Sequence, residues 1–197
     1  MAKRNLLLQV NILPLILIFL VTATSKPNSV RNTNKLRDEG AVKSAEARLI
    51  DAEIKKSREE RIEVLEKFFT KLKSPLKANA ATFVDVADKY NLDYRLLPAI
   101  SCMESTCGKF LIEGSYNPFG WGIYGRNAIY FKSYDEAIET VAKGIRDKYV
   151  SRGLNTPEKI APVYTPPNYV NWRNGVNYFI GRIDDCKDTG TGVSFLG

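Results

Sequence analysis

Ser74-Pro75 constrains the fold of this chain more than any other pair of residues. Proline has no backbone N–H and pushes its predecessor out of the helical region, so a helix arriving from upstream stops there. The texture changes across that point. Residues 34–73 are dense in both charge signs, with Val42, Ala45, Leu49, Ile50, Ile62, Leu65, Phe69 and Leu72 at largely three-to-four spacing. This predicts one long amphipathic helix, with room for a break near Ser57 in the all-polar gap at 55–61. Asp51 with Lys55 and Glu63 with Lys67 are favourable i,i+4 pairs. Apolar heptads are not sustained, so a solvated stalk or an arm packed on a domain is expected over a coiled-coil partner helix.

After Pro75 the sequence turns compact. Ala80, Phe83, Val84, Ala87 and Tyr90 line one helical face. Asp93 is a candidate cap for a second helix reaching about Cys107, with Pro98 early in it and Gly108 as its stop. Residues 113–125 are rich in Gly, Asn, Pro and aromatics and read as a loop. Ala128-Ile129-Tyr130-Phe131 fits one short strand. Ser133 and Glu136 form a capping box for a helix carrying Ala137, Ile138, Val141, Ile145 and Tyr149. Thr156-Pro157 opens a short helix, 164–168 is a Pro-rich loop, and Trp172, Val176, Phe179, Ile180 and Ile183 mark a last helix. The fold class is therefore mainly α, with at most a small β-hairpin. The expected organisation is an N-terminal segment at 1–25, a linker and charged helix at 26–74, a domain at 75–186 and a flexible tail at 187–197.

Lys3 and Arg4 precede an apolar run at 6–23, and Val21-Thr22-Ala23 offers a cleavage site. This pattern is a signal peptide or a membrane anchor, and either exports the remainder to the cell envelope. The 197 residues contain no histidine, which removes Ser-His-Asp and Cys-His nucleophilic machinery and histidine metal sites. No metal and no cofactor is expected. The net charge of +7 suits an anionic polymer, but no phosphate loop or finger accompanies it, so no nucleic acid partner is expected. Of three cysteines, Cys102 and Cys107 are placed about 140° apart on one helix and should not bridge, whereas Cys186 is able to reach one of them.

Chemistry must then rest on other side chains, and Glu104 stands out. It follows Ile100 by four and Leu97 by seven, which puts a carboxylate on an apolar face in the last helical turn. Burial there raises its pKa and keeps a proton available, as a general acid for glycoside cleavage requires. Beside it, Tyr116-Asn117-Pro118-Phe119-Gly120-Trp121-Gly122 combines sugar-stacking rings, an amide and glycines that let backbone approach a chain ligand. Tyr164, Tyr169 and Trp172 form a second aromatic cluster that would face the same cleft.

In order and spacing these segments resemble the lysozyme-like superfamily, in its glucosaminidase branch. That branch comprises the mannosyl-glycoprotein endo-β-N-acetylglucosaminidase-like domains of bacterial cell-wall hydrolases. The resemblance rests on Leu96-Leu97-Pro98-Ala99-Ile100 leading into Glu104-Ser105-Thr106-Cys107-Gly108. It continues through Asn117-Pro118-Phe119-Gly120-Trp121-Gly122, then 131–138, then Tyr164-Thr165-Pro166-Pro167-Asn168-Tyr169, and covers 75–183. It implies a lysozyme-like helical domain acting on peptidoglycan, and the expected protein is a monomer tied to the membrane by its N-terminal segment. Glu104 would be the catalytic acid, with Tyr164 and Tyr169 as cleft tyrosines. Asn117, Phe119, Trp121 and Tyr116 would line the glycan groove.

Two departures bear on mechanism. Many members of that branch carry a second carboxylate on a longer hairpin lobe, whereas 122–134 here is short and holds no acid. Glu113, Asp135 and Glu136 are the nearest candidates; the capping box accounts for Glu136 and the helix dipole suits Asp135, leaving Glu113. Cysteines flanking Glu104 are the other departure. The competing readings are a lytic transglycosylase, against which the Asn-Pro-Phe-Gly-Trp-Gly block argues, and a catalytically idle glycan-binding module on a membrane stalk.

Overall fold

The computed structural model describes residues 29–122 and 128–187, with side chains from Val42 onward. The expected signal or anchor at 1–25 and all but the first residue of the tail lie outside the described residues. No described helix is long and apolar enough to cross a membrane. The chain divides into two units between Ala47 and Arg48. In the first, the described residues form the opening of helix α1 (Ser29–Lys71), with exposed side chains at 42–47. The helix continues without a break at Ser57.

The second unit holds the rest of α1 and five more helices: α2 (Ala80–Tyr90), α3 (Leu96–Ser105), α4 (Tyr134–Lys148), α5 (Pro157–Tyr164) and α6 (Tyr169–Asp184). It is mainly helical, as the periodicity implied. Val64, Leu65, Phe68 and Phe69 from the end of α1 are buried in its core. Phe69 meets Phe83 of α2 at 5.5 Å between ring centroids, and Phe83 meets Phe119 at 6.5 Å. Each such ring contributes roughly 1.5–3 kcal/mol of burial. Arg58 and Arg61 of α1 grip Asp85 and Asp88 of α2 through two hydrogen bonds each, at 2.6 and 2.8 Å in both pairs. These forks fix the rotation of α1 more than they stabilise it, since exposed pairs contribute little.

Ser74 ends α1's run as expected, and a short 3-10 turn starts at Pro75. Ser74 Oγ accepts from Leu76 N and donates to the Cys107 carbonyl at 2.7 Å, joining that turn to the end of α3. α3 packs against α6, α6 against α5, and α2 against α4. Gly175 of α6 opens the space that the Met103 side chain fills; a Cβ there would lie 2.2 Å from its sulfur. Ser133 caps α4 as expected, its Oγ accepting from Glu136 N, while the Glu136 carboxylate accepts from Lys132 N, one residue before the cap whose N–H a full capping box would use.

Two expectations fail. Among the described residues there is no strand. Around 128–131, among the described residues, the one backbone-to-backbone bond to another segment runs from Phe131 N to the Ser115 carbonyl at 2.8 Å. One such bond ties two segments together without building a ladder. The cysteine pairing also differs. α3 ends at Ser105, and Thr106 (φ 52°) and Cys107 (φ 59°) both adopt left-handed backbone. That turn swings Cys107 back onto the helix, and Cys102 and Cys107 form a disulfide. The prediction that they stand apart assumed a helix continuing to Cys107. Cys186 is buried and outside the bridge, accepting from Lys71 Nζ at 3.4 Å.

Candidate active site

Glu104 is the penultimate residue of α3 and opens into a cleft of about 410 Å³. The cleft is lined by Glu104, Phe119, Gly120, Trp121, Gly122, Ile129, Lys148, Tyr149, Tyr164 and Thr165. The acid keeps solvent contact through the open mouth, so it is less enclosed than the apolar-face reading implied. Burial against the cleft floor still pushes its carboxyl above the ordinary value, and a hydrogen bond from Trp172 pulls it partly back. That bond runs from Trp172 Nε1 to Glu104 Oε1 at 2.7 Å. Trp172 is itself buried and stacks on Tyr164 at 4.7 Å, and Tyr164 meets Tyr149 at 6.0 Å.

The residue after the acid has a structural task. Ser105 Oγ donates toward the carbonyls of Ser101 and Pro118, at 2.9 and 2.7 Å, and accepts from Gly108 N. The helix end is thereby joined to the aromatic loop. Within that loop, Gly120 and Gly122 have φ of 59° and 67°, a backbone that glycine adopts without penalty. A Cβ on Gly120 would stand 4.0 Å from Glu104 Oε2, and one on Gly122 would strike Ile129 at 2.3 Å. The loop backbone thus passes close beside the acid.

The predicted groove residues separate. Phe119 forms buried floor and Trp121 forms wall. Asn117 does not line the cleft. It is 4% exposed, its Nδ2 donates to the carbonyls of Trp121 and Ile129, and its Oδ1 accepts from Trp121 N. Its amide shapes the loop and has no capacity directed at a ligand. Tyr116 is exposed, rests edge-on against Tyr134 at 5.3 Å and is not among the lining residues. Tyr164 lines the cleft; Tyr169, exposed in the first turn of α6, does not. Lys148, Tyr149, Ile129 and Thr165 were not singled out from the sequence. Tyr149 had signalled only a core face, and Lys148 carried no motif.

Among the described lining residues no second carboxylate joins Glu104. Glu113 is exposed in the loop, Glu136 accepts from Lys132 N, and Asp135 accepts from Asn79 Nδ2 and Thr82 Oγ1. The segment 123–127, outside the described residues, contains no acid. Among the described residues no group of side chains is arranged to hold a metal ion. No protein-family model and no curated protein matches this chain.

Proposed function

We propose that this protein is a peptidoglycan glycosidase of the endo-β-N-acetylglucosaminidase type, with a lysozyme-like helical domain and Glu104 as general acid. The carrying observation is the one carboxylate among the described lining residues, exposed at the mouth of an open cleft yet with its pKa raised by burial, beside Trp121, Tyr164 and glycine backbone. An open cleft suits a polymer, and aromatic faces suit sugar rings. Protonated Glu104 delivers its proton to the leaving glycosidic oxygen as the C1–O bond breaks. The Trp172 N–H then stabilises the carboxylate that remains.

With one acid in the cleft, the oxocarbenium character at C1 needs a partner other than a protein carboxylate. The substrate supplies it: the 2-acetamido oxygen of N-acetylglucosamine attacks C1, and water later opens the ring it forms. A lytic transglycosylase meets the same one-acid requirement by closing a sugar hydroxyl onto C1 and leaving an anhydro end. The apolar run at 6–23 supports an exported or membrane-tethered protein acting on the cell wall.

The test is digestion of purified peptidoglycan by the full-length protein, with fragments analysed by mass spectrometry before and after borohydride reduction. Reducible ends in N-acetylglucosamine are expected, with E104Q lowering the rate about 10²–10⁴-fold. Anhydro ends would assign the transglycosylase. Binding of the polymer without release of fragments, unaffected by E104Q, would leave a glycan-binding module.

A further inference from the structure

Among the described residues that line the cleft, Lys148 is the one cation. It stands at the end of α4, with its Nζ 4.9 Å from the centre of the Trp121 ring. Trp121 occupies that position because residue 144 is glycine; a Cβ there would meet its Cζ2 at 2.4 Å. The contact between ring and ammonium is therefore built into the α4 surface, and the cation–π attraction restrains an otherwise flexible side chain. The neighbouring carboxylate does not neutralise it, since Asp147 pairs with Lys143 at 2.5 Å. No carboxylate pairs with Lys148 among the described residues. Its charge also plays no part in setting Glu104, whose proton affinity follows from burial and from Trp172.

We infer that Lys148 with Trp121 forms a subsite for a carboxylate carried on the glycan chain, and that this pair selects acidic over neutral glycans. The inference rests on the glycosidase reading and names the substrate class of the same cleft. The ammonium lies over one face of Trp121, so a sugar ring packed beside that ring brings its substituents within reach of Nζ, which donates to a carboxylate oxygen. In a cell-wall glycan that carboxylate has two sources: the lactyl group of bare muramoyl residues and the free carboxylates of peptide stems. A neutral N-acetylglucosamine polymer has neither.

The experiment measures binding, so it reads out whether or not a bond is cleaved. Full-length E104Q and E104Q/K148Q are titrated with four ligands: peptide-free cell-wall glycan strands, strands with intact stems, and the methyl ester of each. E104Q/K109Q, which removes an exposed lysine outside the cleft, controls for overall charge. E104Q should bind the acidic strands several-fold more tightly than their esters. K148Q should abolish that preference, K148R should restore it, and K109Q should retain it. Loss of the preference on peptide-free strands names the lactyl group as source; loss only on stemmed strands names the peptide. Equal binding of acid and ester by E104Q on both kinds of strand, or a preference that survives K148Q, overturns the subsite. Failure of the two readings separates cleanly. Wild-type protein that cleaves nothing but shows a Lys148-dependent preference loses only the glycosidase assignment. Protein that cleaves glycan without that preference loses only the subsite.

Discussion

The cleft has two walls built on different principles. The loop wall, 115–122, holds its shape through polar contacts made inward: Asn117 to the Trp121 and Ile129 backbone, and Ser105 to Pro118. The helical wall holds its shape through rings, with Tyr149 against Tyr164 and Tyr164 against Trp172, and it presents one N–H outward to the acid. Loop backbone has no ladder of its own, so a buried amide must satisfy its donors and acceptors. Helix backbone is already satisfied, which leaves α6 free to direct an indole N–H at Glu104. The polar residue that looked suited to binding sugar is therefore structural. The ring that touches the acid, Trp172, belongs to the aromatic cluster expected to face the cleft.

Asn117→Ala should break the loop wall with the largest effect on stability. It removes three hydrogen bonds and leaves Trp121 and Ile129 backbone groups without that partner, at a cost of about 2–4 kcal/mol. Urea denaturation of wild type and variant measures it, and a loss under about 1 kcal/mol would show that the loop is held from elsewhere. Glycan affinity should fall with it, because Trp121 loses its seat.

This contrast also explains which parts of the molecule were legible in the sequence. Local devices were: the Ser133 cap, the break at Ser74, the apolar face of α2 and Glu104 near a helix end. Each is fixed by residues within a few positions. Asn117 was misjudged because one of its partners, the Ile129 carbonyl, lies twelve residues on in a segment with no regular structure. Lys148 was invisible because its meaning comes from Trp121, and that contact depends on a glycine at 144 on another element. The Cys102–Cys107 bridge was missed because two consecutive left-handed residues, one of them the β-branched Thr106, run against local preference. A disulfide able to hold such a turn is a tertiary fact, and helical spacing argues against it.

The helical wall is tested by Trp172→Phe, which keeps a ring against Tyr164 and removes the donor to Glu104. The stability cost should be smaller than for Asn117→Ala, about 1–2 kcal/mol for the lost ring area and bond. The informative change lies in the pH profile. The Trp172 bond favours the carboxylate form, so its loss leaves burial unopposed and raises the pKa of Glu104 further. An acid catalyst is active while protonated, so the alkaline limb of the activity profile should move to higher pH. Asn117→Ala should weaken binding and leave that limb in place. A limb unmoved by Trp172→Phe would mean that the bond does not set the acid's protonation.

The smallest effect is the most diagnostic for the acid. Because burial raises the pKa of Glu104 in the folded protein, the folded state retains a proton at pH values where the unfolded chain has released it. The folded state binds more protons there, so this group's contribution to stability declines as pH rises from the unfolded value, about 4.3, through the folded one. Above that window the cost of the buried charge is constant. Glu104→Gln does not titrate, and its side-chain oxygen still accepts from Trp172. The variant should match wild type at low pH and become progressively the more stable of the two as pH rises, by an amount limited by the acid's contact with solvent. Paired denaturation curves from pH 3 to pH 8 measure the difference. A difference that stays flat would mean that the cleft treats Glu104 as an ordinary surface carboxylate. The raised proton affinity that the proposed general acid relies on would then be absent.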